Sequence, residues 1–278
     1  MQFATSHDRR TQAGFDGALA YGALSAVMKD NLYWFGPCGF IFTSPWVVTP
    51  NTVRHAAVVL LTASGEPVEV TAGNRVVRSN AVAVAPLTPR GLRATDVGLI
   101  SIQVFPPHPF FRAFQSIPSP GVLQLDRREL AEFGPALVRA YEGRLTLGEA
   151  QELFDAIVGA TVRQLPWTGM RDGRVNRLHE ILRENPACSL PELARELRLS
   201  YTGTSHCFSR AVGLPLRSYR LWLKYFTAAD LRLGGDTLTK IAHAAGFSDS
   251  SHLSRTWQAS FGLSPSYSMD GKRVRTFT

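Results

Sequence analysis

Two short stretches of the chain set polar groups at spacings suited to hydrogen bonding with an outside partner. Residues 248–261 read SDSSHLSRTWQASF. Leu253, Trp257 and Phe261 recur at helical intervals and form one apolar face. Ser250, Ser251, Ser254, Arg255 and Gln258 fall on the other face. An arginine there can donate two parallel hydrogen bonds to N7 and O6 of a guanine, worth about 1–3 kcal/mol of base discrimination. Serine donates or accepts and specifies little alone. The second stretch, residues 201–212, reads YTGTSHCFSRAV. Thr204, Cys207, Phe208 and Val212 point inward; Thr202, Gly203, Ser205, His206, Ser209 and Arg210 point outward. The bland alternatives are solvated helix faces, a surface ion pair for Arg255 and an exposed imidazole for His206.

Other chemistries find little support. Cys38, Cys188 and Cys207 are odd in number and widely spaced, with no CxxC pair. That argues against a disulfide framework or a zinc finger. His55, Glu66, Glu69 and His108 are too scattered for a His-x-His metal site with a nearby carboxylate. No Ser/His/Asp arrangement or Gly-rich phosphate loop stands out. The expectation is a non-enzyme without metal or cofactor. Cys207 falls on an apolar face and reads as a small hydrophobe.

Each polar face needs a helix and a partner helix to hold it. Ser189 with Glu192 makes a capping box, and Pro191 sits in the first turn, where a missing N–H costs nothing. Leu190, Leu193, Ala194 and Leu197 form an apolar side, and Leu199-Ser200 breaks the run. A second helix follows and ends at Gly213. The same plan recurs later. Asp236 or Thr237 starts a helix whose Leu238, Ile241, Ala242 and Ala245 face inward. Gly246 ends it, Ser248 or Asp249 caps the next, and Gly262 closes the unit. Two short helices joined by a tight turn make a helix-turn-helix, whose second helix fits a DNA major groove. One such pattern is weak; two in tandem, at about 189–213 and 237–262, are strong. Between them Leu216, Tyr219, Leu223, Phe226 and Leu231 can form the spine of a spacer helix.

The first part of the chain reads differently. Short runs rich in Val, Ile, Phe and Trp, parted by turn clusters, predict a β sandwich or barrel over about 32–115. A short helix near GALAYGALSAVM (residues 17–28) is expected before it. Asp126 with Glu129 has capping-box spacing and predicts a helix with Leu130, Phe133, Leu137 and Ala140 inward. Gly134-Pro135 should kink or split that helix. Thr146 with Glu149 opens another, whose Leu147, Ala150, Leu153, Phe154, Ile157 and Val158 make one stripe for the core or for a second copy. Residues 166–173 read as a linker. The organisation is α+β: a β-rich unit with a helical segment (1–165, helical part about 126–165), then an all-α unit (174–278).

Charge follows that division. The chain of 278 residues carries +8, and residues 171–278 hold 16 Lys and Arg against nine Asp and Glu. A concentrated basic field favours a polyanion partner. Arg195, Arg217, Arg220 and Lys240, with Lys272, Arg273 and Arg275 of the tail, are candidate phosphate contacts. The last residues, GKRVRTFT, could equally form a disordered tail. No apolar run approaches the ~18 residues of a spanning helix. The N-terminus lacks a signal pattern. A soluble, cytoplasmic protein without a membrane partner is expected.

Residues 174–269 resemble the DNA-binding domain of the AraC/XylS family of bacterial transcription regulators. The resemblance rests on LARELRLS with CFSRAVGLPLRSYR, on KIAHAAGFSDSSHLSRTWQASFGLSPSYS, and on the joining helix. It implies double-stranded DNA as partner, with base reading by Thr202, Ser205 and His206 and by Ser251, Ser254 and Arg255. RNA polymerase is a second implied partner and a homodimer a third; the resemblance implies an activator, while the residues leave activation and repression open. The β-rich part resembles the family's cupin-like regulatory domain, followed by its helical dimerisation segment. A small effector inside the barrel is then expected, near Trp34, Phe40, Phe42, Trp46 and His55. A protein partner for that domain, or a cupin-type enzyme with a helical module, is the rival reading. The chain departs from the family at His206, where arginine is usual, and at Gly203 inside the reading helix, which costs about 1 kcal/mol of helix stability. The second reading helix should therefore carry the larger share of specificity.

Overall fold

The computed structural model describes residues 29–168 and 173–278. The helix expected near residues 17–28 lies outside the described residues, as does half of the expected linker. Nine strands form one sheet: β1 (Asp30–Trp34), β2 (Gly39–Val53), β3 (Ala57–Thr62), β4 (Val68–Ala72), β5 (Arg75–Ser79), β6 (Ala81–Val84), β7 (Pro89–Val104), β8 (Val122–Gln124) and β9 (Val274–Phe277). The main order is β8-β6-β3-β7-β2-β1-β9, with β4 paired to β5 and β7. β2 and β7 are long, and register shifts at Ser44/Trp46 and Thr49/Thr52 bend the pair. A bulge inserts an extra residue and turns the strand, so one pair can serve both halves of a folded sheet.

The two faces of the sheet bury different partners. Val47, Val58, Leu60, Val70, Leu92 and Leu99 fill the space inside the fold of the sheet. Ile41, Val59, Leu61, Ile100 and Ile102 alternate with them and face outward, as the period of two requires. Helices α1 (Gly134–Tyr141) and α2 (Leu147–Arg163) cover that outer face with Leu137, Phe154 and Ile157. The Thr146–Glu149 capping box is formed in both directions. The segment after Asp126 is a 3-10 turn (Arg127–Phe133), not the expected α-helix. The Asp126 side chain accepts from the Arg128 N–H, two residues on, so the box with Glu129 does not form. The α2 stripe is spent in the domain's own core, with Leu147 at its half-buried edge.

Seven further helices follow: α3 (Gly173–Glu184), α4 (Leu190–Leu197), α5 (Tyr201–Val212), α6 (Leu216–Arg232), α7 (Leu238–Ala244), α8 (Ser250–Phe261) and α9 (Pro265–Met269). The apolar core runs unbroken from the sheet's outer face into the first helix pair. Phe105, Phe111 and Phe114 join Leu178, Leu193, Phe208 and Trp222 in one cluster. The second pair has a smaller core of its own around Tyr225, Ile241, Phe247, Leu253 and Trp257. The tail, open in the sequence to disorder, is the strand β9, paired in parallel with β1. Among the described residues no helix is long and apolar enough to cross a membrane.

Candidate nucleic-acid interface

Each reading helix is fixed by caps legible in the chain. Ser189 and Glu192 complete the capping box of α4, with Pro191 in its first turn. Arg198 ends α4 in the left-handed conformation, φ 52°. Ser200 then caps α5, its hydroxyl accepting from the Gly203 N–H at 3.1 Å. A β-carbon at Gly203 would sit 3.2 Å from that same hydroxyl. The small residue there keeps the cap uncrowded. In the second unit the caps are Thr237 for α7 and Asp249 for α8. Asp249 accepts from the His252 N–H, which holds its carboxyl below the usual range. Lys224 reaches from α6 to the carbonyl of Gly246 and ties the turn down.

The inward faces are as the spacing predicts. Thr204, Cys207, Phe208 and Val212 of α5 are buried, as are Leu253 and Trp257 of α8. Outward, Thr202 and His206 are exposed and Ser205 half-buried. On α8, Ser251 and Arg255 are exposed and Ser254 half-buried. The Ser254 hydroxyl donates to the Ser250 carbonyl at 2.8 Å, which leaves its oxygen to accept. That narrows it from a two-way group toward a partner that donates, such as an adenine or cytosine amino group. Arg195, Arg217, Arg220 and Lys240 are all exposed, and Lys240 lies 3.7 Å from Asp236.

The spacer helix α6 buries Tyr219, Trp222, Tyr225 and Ala228. Of the predicted spine only Tyr219 is fully buried; Leu216, Leu223, Phe226 and Leu231 are at its edges. Trp222 packs into the core shared with the sheet and Tyr225 into the core of the second pair, so no single helical stripe announced them. Burial pushes the Tyr219 hydroxyl up to about 12. Tyr225 donates to the Thr256 carbonyl at 2.9 Å and accepts from Ser260 at 3.0 Å, which anchors α8 on α6.

Both helices also end against the first unit, α5 on the 3-10 turn Phe111–Ser116 and α8 on β2. Gly213, at the end of α5, lies so close to Phe111 that a β-carbon would meet its ring at 3.2 Å. Gly262, at the end of α8, lies on Thr49, where a β-carbon would come within 2.5 Å. The Arg54 guanidinium donates to the last α8 carbonyl, Phe261 O, at 3.3 Å. This positions a cation at the negative end of the helix dipole.

Between sheet and helices lies an apolar pocket. Trp34, Phe40 and Phe42 line it, together with Phe105, Trp222 and Phe226. Trp34 stacks on Phe226 at 5.8 Å, and Phe105 meets Trp222 edge-on at 5.7 Å. Arg54 and Arg232 are its cationic wall residues. Trp46 and His55 do not line it. The space inside the folded sheet, where an effector was expected, is filled by valine and leucine side chains. His55 sits beside Tyr225 instead, and burial pulls its imidazole down to about 4. Arg78 pairs with Glu69 at 2.9 Å on the surface. His108 is buried 3.8 Å from Asp155. The pocket residues come from β1, β2, the end of β7, α6, α8, α9 and β9, so no local signal could have joined them.

The family model described as a helix-turn-helix domain matches residues 193–268. No curated protein matches the chain. Among solved structures, ToxT from Vibrio cholerae O395 is similar in fold, with a TM-score of 0.50 at 13% identity, over 87% of this chain and 96% of that one. The AraC-like transcriptional activator CuxR aligns at 17% identity over 68% of this chain and 76% of its own, with a TM-score of 0.32. The matches show a helix-turn-helix domain over residues 193–268 and a fold shared with ToxT, a sheet unit followed by paired helix-turn-helix units.

Proposed function

We propose that the chain reads two successive major-groove segments of promoter DNA. Thr202, Ser205 and His206 of α5 and Ser251, Ser254 and Arg255 of α8 meet base edges. Arg195, Arg217, Arg220 and Lys240 meet phosphates. The observation that supports this best is that both helices bury their apolar side and present these residues outward. Two such helices reach the same side of DNA when about 34 Å apart, one helical turn. Genome-wide DNA capture with the purified protein, beside an Arg255→Ala sample, tests the assignment. The wild type should enrich one motif, and the variant should lose a guanine from it. Equal enrichment by both sinks it.

The sheet unit supplies control through the pocket it shares with α6 and α8. Its aromatic walls suit an apolar molecule of small size, and Arg54 and Arg232 suit an anionic group on it. The effector is therefore read as an apolar carboxylate held between the two units. Thermal unfolding with carboxylates of graded chain length, against the matching alcohols, tests this. Stabilisation by neither class, or by both alike, counts against it. RNA polymerase and a second copy remain the further partners that the family resemblance implies.

A further inference from the structure

The last strand joins the two halves of the molecule at their sequence extremes. β9 lies beside β1 in the register Asp30 to Val274 through Tyr33 to Phe277. The Asp30 N–H donates to the Arg273 carbonyl at 2.9 Å, and Val274 is buried. The Phe277 ring stacks on Tyr33 at 4.4 Å. The tail's cations are engaged on the protein. Arg275 donates to the Gly143 carbonyl at 3.2 Å. Arg273 pairs with Asp270 at 3.4 Å and lies over the Tyr267 ring. β1 also lines the apolar pocket through Leu32 and Trp34, and Val274 lines it from β9. Strand pairing and pocket occupancy thus share side chains.

We propose that β9 is an autoinhibitory contact. While it is paired with β1, it holds the DNA-binding helices on the sheet and spends Arg273 and Arg275 on protein carbonyl and carboxylate groups. Released, the strand becomes a basic arm whose two arginines meet DNA phosphates. The proposal rests on the DNA-reading function above and adds a second state to it. Phosphate contacts carry no sequence information, so any duplex reports them.

The test uses the full chain and two variants that keep every cation. Val274→Ser with Phe277→Ser removes the two apolar anchors. Phe277→Pro removes the backbone N–H that the parallel register turns toward β1, and the ring with it. Binding to a short duplex of arbitrary sequence is measured across a salt series, alongside hydrogen exchange of the 274–277 amides. The variants should exchange faster there and bind DNA roughly 10-fold tighter at low salt. The slope of log affinity against log salt should steepen by about 2, since each freed cation adds about 0.9. Faster exchange with unchanged affinity and slope, or with weaker binding, overturns the proposal. So does a wild-type β9 that exchanges like a free peptide. A wild-type chain that binds no duplex at any salt sinks the DNA-reading function itself.

Discussion

The Tyr267 hydroxyl donates to Oδ2 of Asp30 at 3.0 Å, inside the fold and across 237 residues of chain. Burial pushes the Asp30 carboxyl up to about 7, against the opposing pull of hydrogen bonds from Ser44 and Tyr267. The unfolded carboxyl titrates near 3.8. The folded state therefore holds a proton that the unfolded state has lost between those two values. Stability is fullest below pH 4 on this account, falls as pH rises through 7, and levels off above. Urea midpoints at pH 5.5 and pH 8 should show the wild type weaker at pH 8, by an amount on the order of 1 kcal/mol or more. Asp30→Asn should remove most of that difference. A wild type with the same midpoint at both values would refute the assignment.

Arg255 and His206 occupy matching places on α8 and α5, each six residues after the N-cap, but arginine offers more donors than histidine. Arg255→Ala should cost about 1–3 kcal/mol of preference for one base and leave the rest of the motif intact. His206→Ala should cost less, and His206→Arg should tighten binding. Selection of bound sequences from a random duplex pool reads all three variants. A larger loss at His206 than at Arg255 would reverse the ranking of the two helices.

Gly262 and Gly235 share a left-handed backbone, φ 75° and 78°. Only Gly262 is crowded, by Thr49 of the sheet; nothing lies within 4 Å of a β-carbon at Gly235. Gly235→Ala should cost about 1 kcal/mol for backbone strain alone. Gly262→Ala should cost more, by roughly 1–3 kcal/mol, because the end of α8 must leave the sheet. Denaturant unfolding of both variants separates the two effects. Equal losses would mean that the contact between α8 and β2 yields freely.

Trp222 is nearly fully buried and touches Phe105 of the sheet unit as well as Tyr219 and Phe226 of its own helix. Trp222→Ala should destabilise the chain by about 3–5 kcal/mol. Since the core is continuous, both halves should lose cooperativity together. Probes in the sheet and in the helices that still report one shared transition at the wild-type midpoint would contradict this.

The division of α5 and α8 into inward and outward faces was legible because its determinants are local. Capping pairs such as Ser189–Glu192 act within one turn, and the 3.6-residue period alone separates Leu253 and Trp257 from Ser251 and Arg255. The same locality makes the misreading at Asp126 instructive. The spacing to Glu129 was right, but the Asp126 carboxylate took the nearer Arg128 N–H, and a 3-10 turn resulted.

By itself, the sequence determined the paired helix-turn-helix units, their caps, the outward residues and the basic charge of that half, all of which follow from neighbours within a few positions. Only the tertiary structure decided where the pocket lies, that Trp222 and Tyr225 pack into different cores, and that β9 closes on β1. VRTF carries just two apolar residues, too few to announce a strand. It becomes one because β1 offers unpaired backbone groups and Tyr33 offers a ring at the matching register. The energy of such a pairing belongs to both strands at once, and no single stretch of sequence contains it.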